Sequence, residues 1–326
     1  MTTVAVLRGG SVGEHEVSLE TGAHILELLP SLSEGRFRPL DVFIDKELMW
    51  HVRGVPIAPE RALANADVVF NALHGGYGED GSVQRLLGRL GIPYTGSGAY
   101  GSAVSLNKKL AKDIMQKAGV RVPRHIVLTV SPDLEREALA AFRSFSPPVM
   151  VKPVSAGSSV GAGLATTFAE FWERVKDAFA HGTEVLAEEF VIGREATCGV
   201  IDDFRGKERY ALLPAEIAKP SPFSIFDQAA KRDGARVRMP AGFTKDERSE
   251  IERLALLAHE RLGLRQYSRS DFIVTPRGVY FIEANALPPL APRSAFAQSL
   301  SATGVSLEEM LEHLVTLARS KVHSHA

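Results

Sequence analysis

Cysteine is almost missing from this chain: Cys198 stands alone among 326 residues. One thiol excludes an intramolecular disulfide and a cysteine-built zinc site. Its place in the alternating apolar run ATCGVI (196–201) makes it a packed core residue rather than a nucleophile. A large net charge is missing as well. Lysine and arginine number 38 against 39 acidic residues, a formal charge of -1. Both signs are spread along the chain, so nothing points to a nucleic acid or an anionic membrane surface as partner. No apolar run approaches the roughly 20 residues of a membrane-spanning helix. The opening MTTVAVLRGG lacks the basic start, long apolar core and cleavage site of a secretory leader. Repeats and low-complexity tracts are absent too. The expectation is a cytoplasmic protein with no membrane partner that works on small molecules.

What is present suits such a protein. With 45% hydrophobic residues over 326 positions, the chain can build two or three domains, since single cores stop growing near roughly 250–300 residues. TVAVLRGGS at the start reads as a buried strand running into a glycine turn, and EVSLETGAHILELL as the helix that follows. ADVVFNALHGG and SVQRLLGRLG repeat that strand, Gly-rich loop, helix order. Residues 1–95 are therefore expected to form an α/β domain on a parallel sheet, with working loops at the C-terminal ends of its strands. Residues 96–187 read as an α+β unit and residues 188–326 as another, rich in strands. The polar, Pro-bounded stretch 219–242 has the length and composition of a lid.

Chemistry concentrates near residues 267–287, YSRSDFIVTPRGVYFIEANAL. A hairpin turning on a three-residue loop, Pro276-Arg277-Gly278, sets Asp271 opposite Glu283 and Arg269 opposite Asn285 on one face. Two opposed carboxylates repel unless a cation lies between them. The all-oxygen set Asp271, Glu283 and Asn285 suits Mg2+ bridging to phosphates. The same residues would also fit the exposed face of a hairpin with scattered charges, because a one-residue slip moves Glu283 to the other face. Further upstream, PVMVKPVSAGSSVGAG places Lys152 near a strand end before a small Gly-Ser loop whose amides could wrap a phosphate, although it is not a Walker A sequence. Lys108 lies in a helical SLNKKLAK. LAEEFVIGRE offers Glu188, Phe190, Val191 and Glu195 for an adenine and its ribose.

Together these blocks resemble, in order and over nearly the whole chain, the D-alanine:D-alanine ligases of the ATP-grasp superfamily. The blocks are LRGGSVGEHEVSLETG, LHGGYGEDGSVQRLLGRLGIPYTGSGAYGSAVSLNKKLAK, VKPVSAGSSVG, EEFVIGRE, SRSDF and EANALPPLAPRS. The resemblance implies a three-domain ATP-grasp fold, α/β and α+β, that uses ATP and two Mg2+ ions, with Mn2+ as a possible substitute, to join two D-alanine molecules through an acyl phosphate for peptidoglycan precursor synthesis. It implies that Glu14 meets the amino group of the first D-alanine with His74 nearby, and that Ser158 orients Glu14. Lys108 and Lys152 would hold phosphates, Glu188 and Val191 the adenine, and Glu195 the ribose. Asp271, Glu283 and Asn285 would bind metal, Arg269 would face the oxyanion, and Ser294 would hold the second carboxylate. A homodimer is the family's habit.

Three departures from the pattern stand out. Pro289 stands where the family has a glycine whose N–H faces the oxyanion, and proline has no N–H to give. Leu290 N–H is a candidate replacement. Ala229-Ala230 fall where the lid carries a Lys-Tyr pair, and Ala156 where glutamate is frequent. The departures leave open a ligase with a different amino or hydroxy acid, or an ATP-binding protein that has lost ligation.

Overall fold

The computed structural model describes residues 1–11, 13–157, 160–218 and 236–320. Ser158, the Ala229-Ala230 pair and most of the 219–242 stretch lie outside the described residues. At the end of that stretch, residues expected in a loop form instead a short strand, Arg236–Arg238.

Three sheets carry the chain. In the first, β1 (Thr2–Gly9), β2 (Phe37–Ile44), β3 (Trp50–Val52), β4 (Val55–Pro56) and β5 (Val68–Asn71) lie in the order β4-β3-β2-β1-β5. β1 pairs parallel with both β2 and β5, as the repeated strand-loop-helix order requires. β3 and β4 add an antiparallel edge that the sequence reading did not foresee. Helices α1 (His15–Leu28), α2 (Pro59–Ala62), α3 (Gly76–Glu79) and α4 (Ser82–Arg89) follow the strands. The unbroken apolar run of β1 is buried on both faces. Ala5 and Leu7 pack with Val83 and Leu87 of α4. Val4 and Val6 pack against Met310, Leu311 and Leu314, far along the chain.

Helices α5 (Ala99–Leu106) and α6 (Lys108–Lys117) lead to the second sheet, all antiparallel. Its strands β6 (His125–Thr129), β7 (Val149–Pro153), β8 (Gly163–Ala165) and β9 (Glu184–Glu189) lie in the order β6-β9-β7-β8, backed by α7 (Leu134–Ser144) and α8 (Phe168–Phe179). Asn107 caps α6 by accepting from Leu110 N–H at 2.9 Å, and so fixes Lys108 as the first helical residue.

The third sheet contains β10 (Arg194–Phe204), β11 (Lys207–Ala211), β12 (Ala215–Ala218), β13 (Arg236–Arg238), β14 (Tyr267–Thr275) and β15 (Gly278–Asn285), with β10 at the centre. Helix α9 (Lys245–Arg261), opened by a Thr244/Glu247 capping box, covers it, and α10 (Ala295–Ala302) and α11 (Leu307–Ser320) follow. α11 supplies the apolar residues beneath β1. Cys198 sits in β10, fully buried, with its thiol against Leu212 O at 3.4 Å. Burial pushes that thiol far up, which leaves it a packing residue and no nucleophile.

Candidate active site

The β14–β15 hairpin decides the site, and its turn differs from expectation. Thr275 pairs with Gly278, so the turn has two residues between its ends, Pro276 and Arg277, rather than three. That register alone would set Asp271 opposite Ile282. A bulge intervenes: Phe272 pairs with Phe281 but Asp271 pairs with Glu283, so Ile282 is the extra residue. The expected facing of Asp271 with Glu283 and of Arg269 with Asn285 is therefore present, restored by the bulge. A second effect follows from the bulge: the neighbours Ile282 and Glu283 both line the same cleft.

That cleft runs between the second and third sheets. Lys108, Lys152, Glu188, Val191, Glu195, Asp271 and Glu283 all line it, between apolar walls that include Met150, Val160 and Ile273. Lys108 Nζ donates to Ala156 O at 2.5 Å and lies 4.0 Å from Glu283 Oε2. Burial lowers its pKa in spite of the pull of Glu283. Lys152 Nζ is 2.5 Å from Glu188 Oε1. Burial works against its charge, but Glu188 and Glu283 outweigh it and the pKa rises. On the other side of Glu188 is a residue that sequence reasoning missed. Lys112, with no exposed surface, places Nζ 3.2 Å from Glu188 Oε2 and donates to Ile282 O at 2.7 Å. Burial would raise the Glu188 pKa, yet the two lysines hold it below the usual carboxylate range. The only sequence signal for Lys112 is its spacing, one helical turn after Lys108. Val191 lies past the end of β9, where the strand ladder no longer takes its backbone.

Asp271 is held before any ligand arrives. Arg269 donates to both its oxygens, Nε to Oδ1 at 3.0 Å and Nη2 to Oδ2 at 2.9 Å. Thr197 Oγ1, in register on β10, adds a bond to Oδ1 at 2.6 Å. Asn285 Oδ1 accepts from Leu287 N–H at 3.0 Å, which shapes the loop after β15. Among the described residues no three His, Cys, Asp or Glu side chains cluster as a metal site. The chain offers two carboxylates and an amide, an all-oxygen set of the size Mg2+ takes when phosphates and water complete its shell.

Glu14 and His74 follow the C-terminal ends of the parallel strands β1 and β5, and Ser294 follows β15. Glu14 precedes α1, and its Oε2 lies where a Cβ on Gly75 or Gly157 would sit, at 2.2 and 2.4 Å. Two glycines from two different loops, one after β5 and one after β7, thus make room for one carboxylate. His74 is buried, with Nε2 3.1 Å from Thr21 Oγ1, and burial keeps its pKa low. Glu79, within the LHGGYGEDG block and given no role by the resemblance, accepts from Gly75 N–H at 2.7 Å. Burial and then the nearby Glu14 push Glu79 up to about 8. Ser294 caps α10, its Oγ accepting from Ala297 N–H at 3.1 Å. Leu290 is buried and its N–H has no hydrogen-bond partner among the described residues.

The comparisons with known proteins fall on this geometry. The family description "D-ala D-ala ligase C-terminus" matches residues 114–316, and "D-ala D-ala ligase N-terminus" matches residues 51–97. The chain belongs to the D-alanine–D-alanine ligase family. A D-alanine–D-alanine ligase of Geotalea uraniireducens is 35% identical over 98% of this chain and 96% of its own length. The D-alanine-D-alanine ligase structure from Coxiella burnetii superposes with a TM-score of 0.81 at 25% identity, covering 98% of this chain and 94% of that one. The VanG D-Ala:D-Ser ligase structure from Enterococcus faecalis superposes with a TM-score of 0.83 at 26% identity, covering 97% of this chain and 99% of that one. The three-sheet arrangement is thus the multidomain ATP-grasp fold of that family.

Proposed function

We propose that this protein joins two D-alanine molecules into D-alanyl-D-alanine, a peptidoglycan precursor, with conversion of ATP to ADP and phosphate. One observation carries the reading: two buried lysines, Lys108 at the start of α6 and Lys152 on β7, converge with two carboxylates of the β14–β15 hairpin on a single cleft, and Glu14 packs against Gly157, the residue after the cleft-lining Ala156.

In this reading the carboxylate of the first D-alanine attacks the γ-phosphorus of ATP, and ADP leaves. The amine of the second then attacks the acyl carbon, inorganic phosphate departs, and the nitrogen loses one proton. Such steps run on positioning and charge stabilisation. Lys108 and Lys152, which line the cleft, would neutralise the transferring phosphoryl group. Val191 and Glu195 line the same cleft for the nucleoside, and Glu188 supports Lys152. Asp271, Glu283 and Asn285 would hold divalent metal, two Mg2+ ions or Mn2+ in their place, which would supply further neutralisation of phosphate charge. Arg269, steadied on Asp271, would face the oxyanion. Glu14 would bind the ammonium of the first D-alanine. His74, kept neutral by burial, adds no repelling charge beside it. Ser158 follows Gly157, which packs on Glu14, and would orient that carboxylate. Ser294 retains its hydroxyl proton for the second carboxylate while its oxygen caps α10.

The same reading divides the chain into units at 1–95, 96–187 and 188–326, works in the cytoplasm, and includes a homodimer. No described helix is long and apolar enough to cross a membrane. The test is phosphate release from Mg·ATP with and without D-alanine, with products identified by mass spectrometry. D-alanine-dependent phosphate matched by D-alanyl-D-alanine is expected. Phosphate with D-serine and not with a second D-alanine, or no response at all, would overturn the assignment.

A further inference from the structure

Lys112 is the most deeply buried cation near the cleft, and the roles above do not use it. It does not line the cleft. It stands behind, on α6, one turn after Lys108, and touches both halves of the site. Toward the second sheet it meets Glu188 at 3.2 Å, whose other oxygen meets Lys152 at 2.5 Å. Toward the third it donates at 2.7 Å to the carbonyl of Ile282, the extra residue of the bulge that brings Glu283 opposite Asp271.

We propose that Lys112 is a positioning residue for nucleotide and metal binding, which pins the Ile282 bulge and shares Glu188 with Lys152. The charge count gives the reason. Glu188 paired with Lys152 alone would cancel the charge that a phosphate needs. With Lys112 as a second partner the trio is net positive, and Lys152 keeps charge to spare. The bulge gives the second reason. An extra strand residue is left out of the regular pairing, and its part-buried carbonyl is best satisfied by a donor from elsewhere. Lys112 is that donor, so the strand cannot slip back to the register that would carry Glu283 away from Asp271. Burial opposes the charge and brings the Lys112 pKa down to about 8, with Glu188 the main opposing attraction. A neutral apolar side chain would avoid that penalty, which marks the lysine as serving the site rather than the core.

The inference rests on the proposed nucleotide site, and the experiment separates the two. Affinities for Mg·ATP by calorimetry and for Mn2+ with ATP by electron paramagnetic resonance are measured for the wild type, Lys112→Met, Lys112→Gln and Lys112→Arg. KM for D-alanine is measured alongside, and folding is checked by circular dichroism and melting. A wild type that does not bind ATP refutes the site itself. Given wild-type binding, the folded neutral variants should lose tenfold or more in ATP and Mn2+ affinity, with KM for D-alanine within about twofold. Lys112→Arg should stay within threefold. A folded neutral variant that binds both ligands as the wild type does would overturn the proposal. If neither neutral variant folds, Lys112→Arg decides: retained affinity within threefold supports it, and a larger loss in a folded protein overturns it.

Discussion

Two clusters of buried titratable groups belong to this site, and the same burial has opposite consequences in them. Around Glu188, each buried charge has an opposite neighbour: Lys112 and Lys152 for the carboxylate, with Glu283 near Lys108. Glu188 accordingly stays ionised, its pKa held low. Around Glu79 the strongest charge is another carboxylate, Glu14, and the Glu79 pKa climbs to about 8. His74, in the same cluster, is held neutral. The sign of the neighbour, not the depth, decides whether a buried group keeps its charge. A polyphosphate calls for a standing positive field, whereas a small zwitterion needs one carboxylate among groups that do not compete with it. In the proposed reading the two clusters would serve those two ligands.

The comparison breaks most sharply at Glu283. Glu283→Ala removes a carboxylate from the cleft and a partner from Lys108, and should lower D-alanine-dependent phosphate release about 10³-fold or more. Retained Mn2+ binding by electron paramagnetic resonance would count against its role. Next comes Gly157→Ala, whose new methyl would meet Glu14 Oε2 at 2.4 Å. The atom displaced is the end of a flexible side chain, so the protein should fold and melt as before. Displacing it should nonetheless cut kcat/KM for D-alanine by about 10²-fold while KM for ATP holds. Equal losses for both substrates would merge the clusters that we separate.

Smaller effects sharpen the electrostatic half. The folded pKa of Glu79, about 8, lies above its ordinary 4.5. Between these values the folded protein holds a proton that the unfolded chain releases, so this group's contribution to stability falls as pH rises from about 4.5 to about 8 and is flat above. Glu79→Gln keeps an acceptor for Gly75 N–H and removes the slope. Its melting temperature should match the wild type near pH 5 and exceed it by several degrees at pH 8.5. A constant offset across that range would refute the neutral-carboxyl reading. Smallest is Pro289→Gly, which restores a backbone donor to the loop. Turnover should stay within a few-fold of the wild type or rise. A large loss would show that the proline has become part of a reshaped site.

Most of the site's residue types were legible because chemistry needs them in local order. Lys108 follows its cap, Asp271 and Glu283 flank one turn, and Glu14 and His74 follow the first and last parallel strands. Less legible was whatever depends on contact across the chain. The hairpin illustrates it: the turn was misjudged by one residue, and the bulge at Ile282 offset the error. No local pattern marks that bulge, because the donor to its carbonyl, Lys112, lies far away in the chain. Thr197 read as one polar residue in an apolar strand until its register with Asp271 gave it a purpose. In the sequence Glu79 and the two glycines beside Glu14 are only letters of longer motifs, and their packing gives them separate roles.

By itself the sequence determined most of the strands and helices, that β1 must be buried, that Cys198 belongs in a core, and which side chains could meet phosphate. Periodicity and composition record whether a residue meets water or protein. They do not name the partner. Tertiary structure alone chose α11 to cover Val4 and Val6, Gly157 to close on Glu14, and Lys112 to join Glu188 to Ile282. Each is a contact between residues far apart in the chain, where burial can be satisfied by many partners and shape and charge select one.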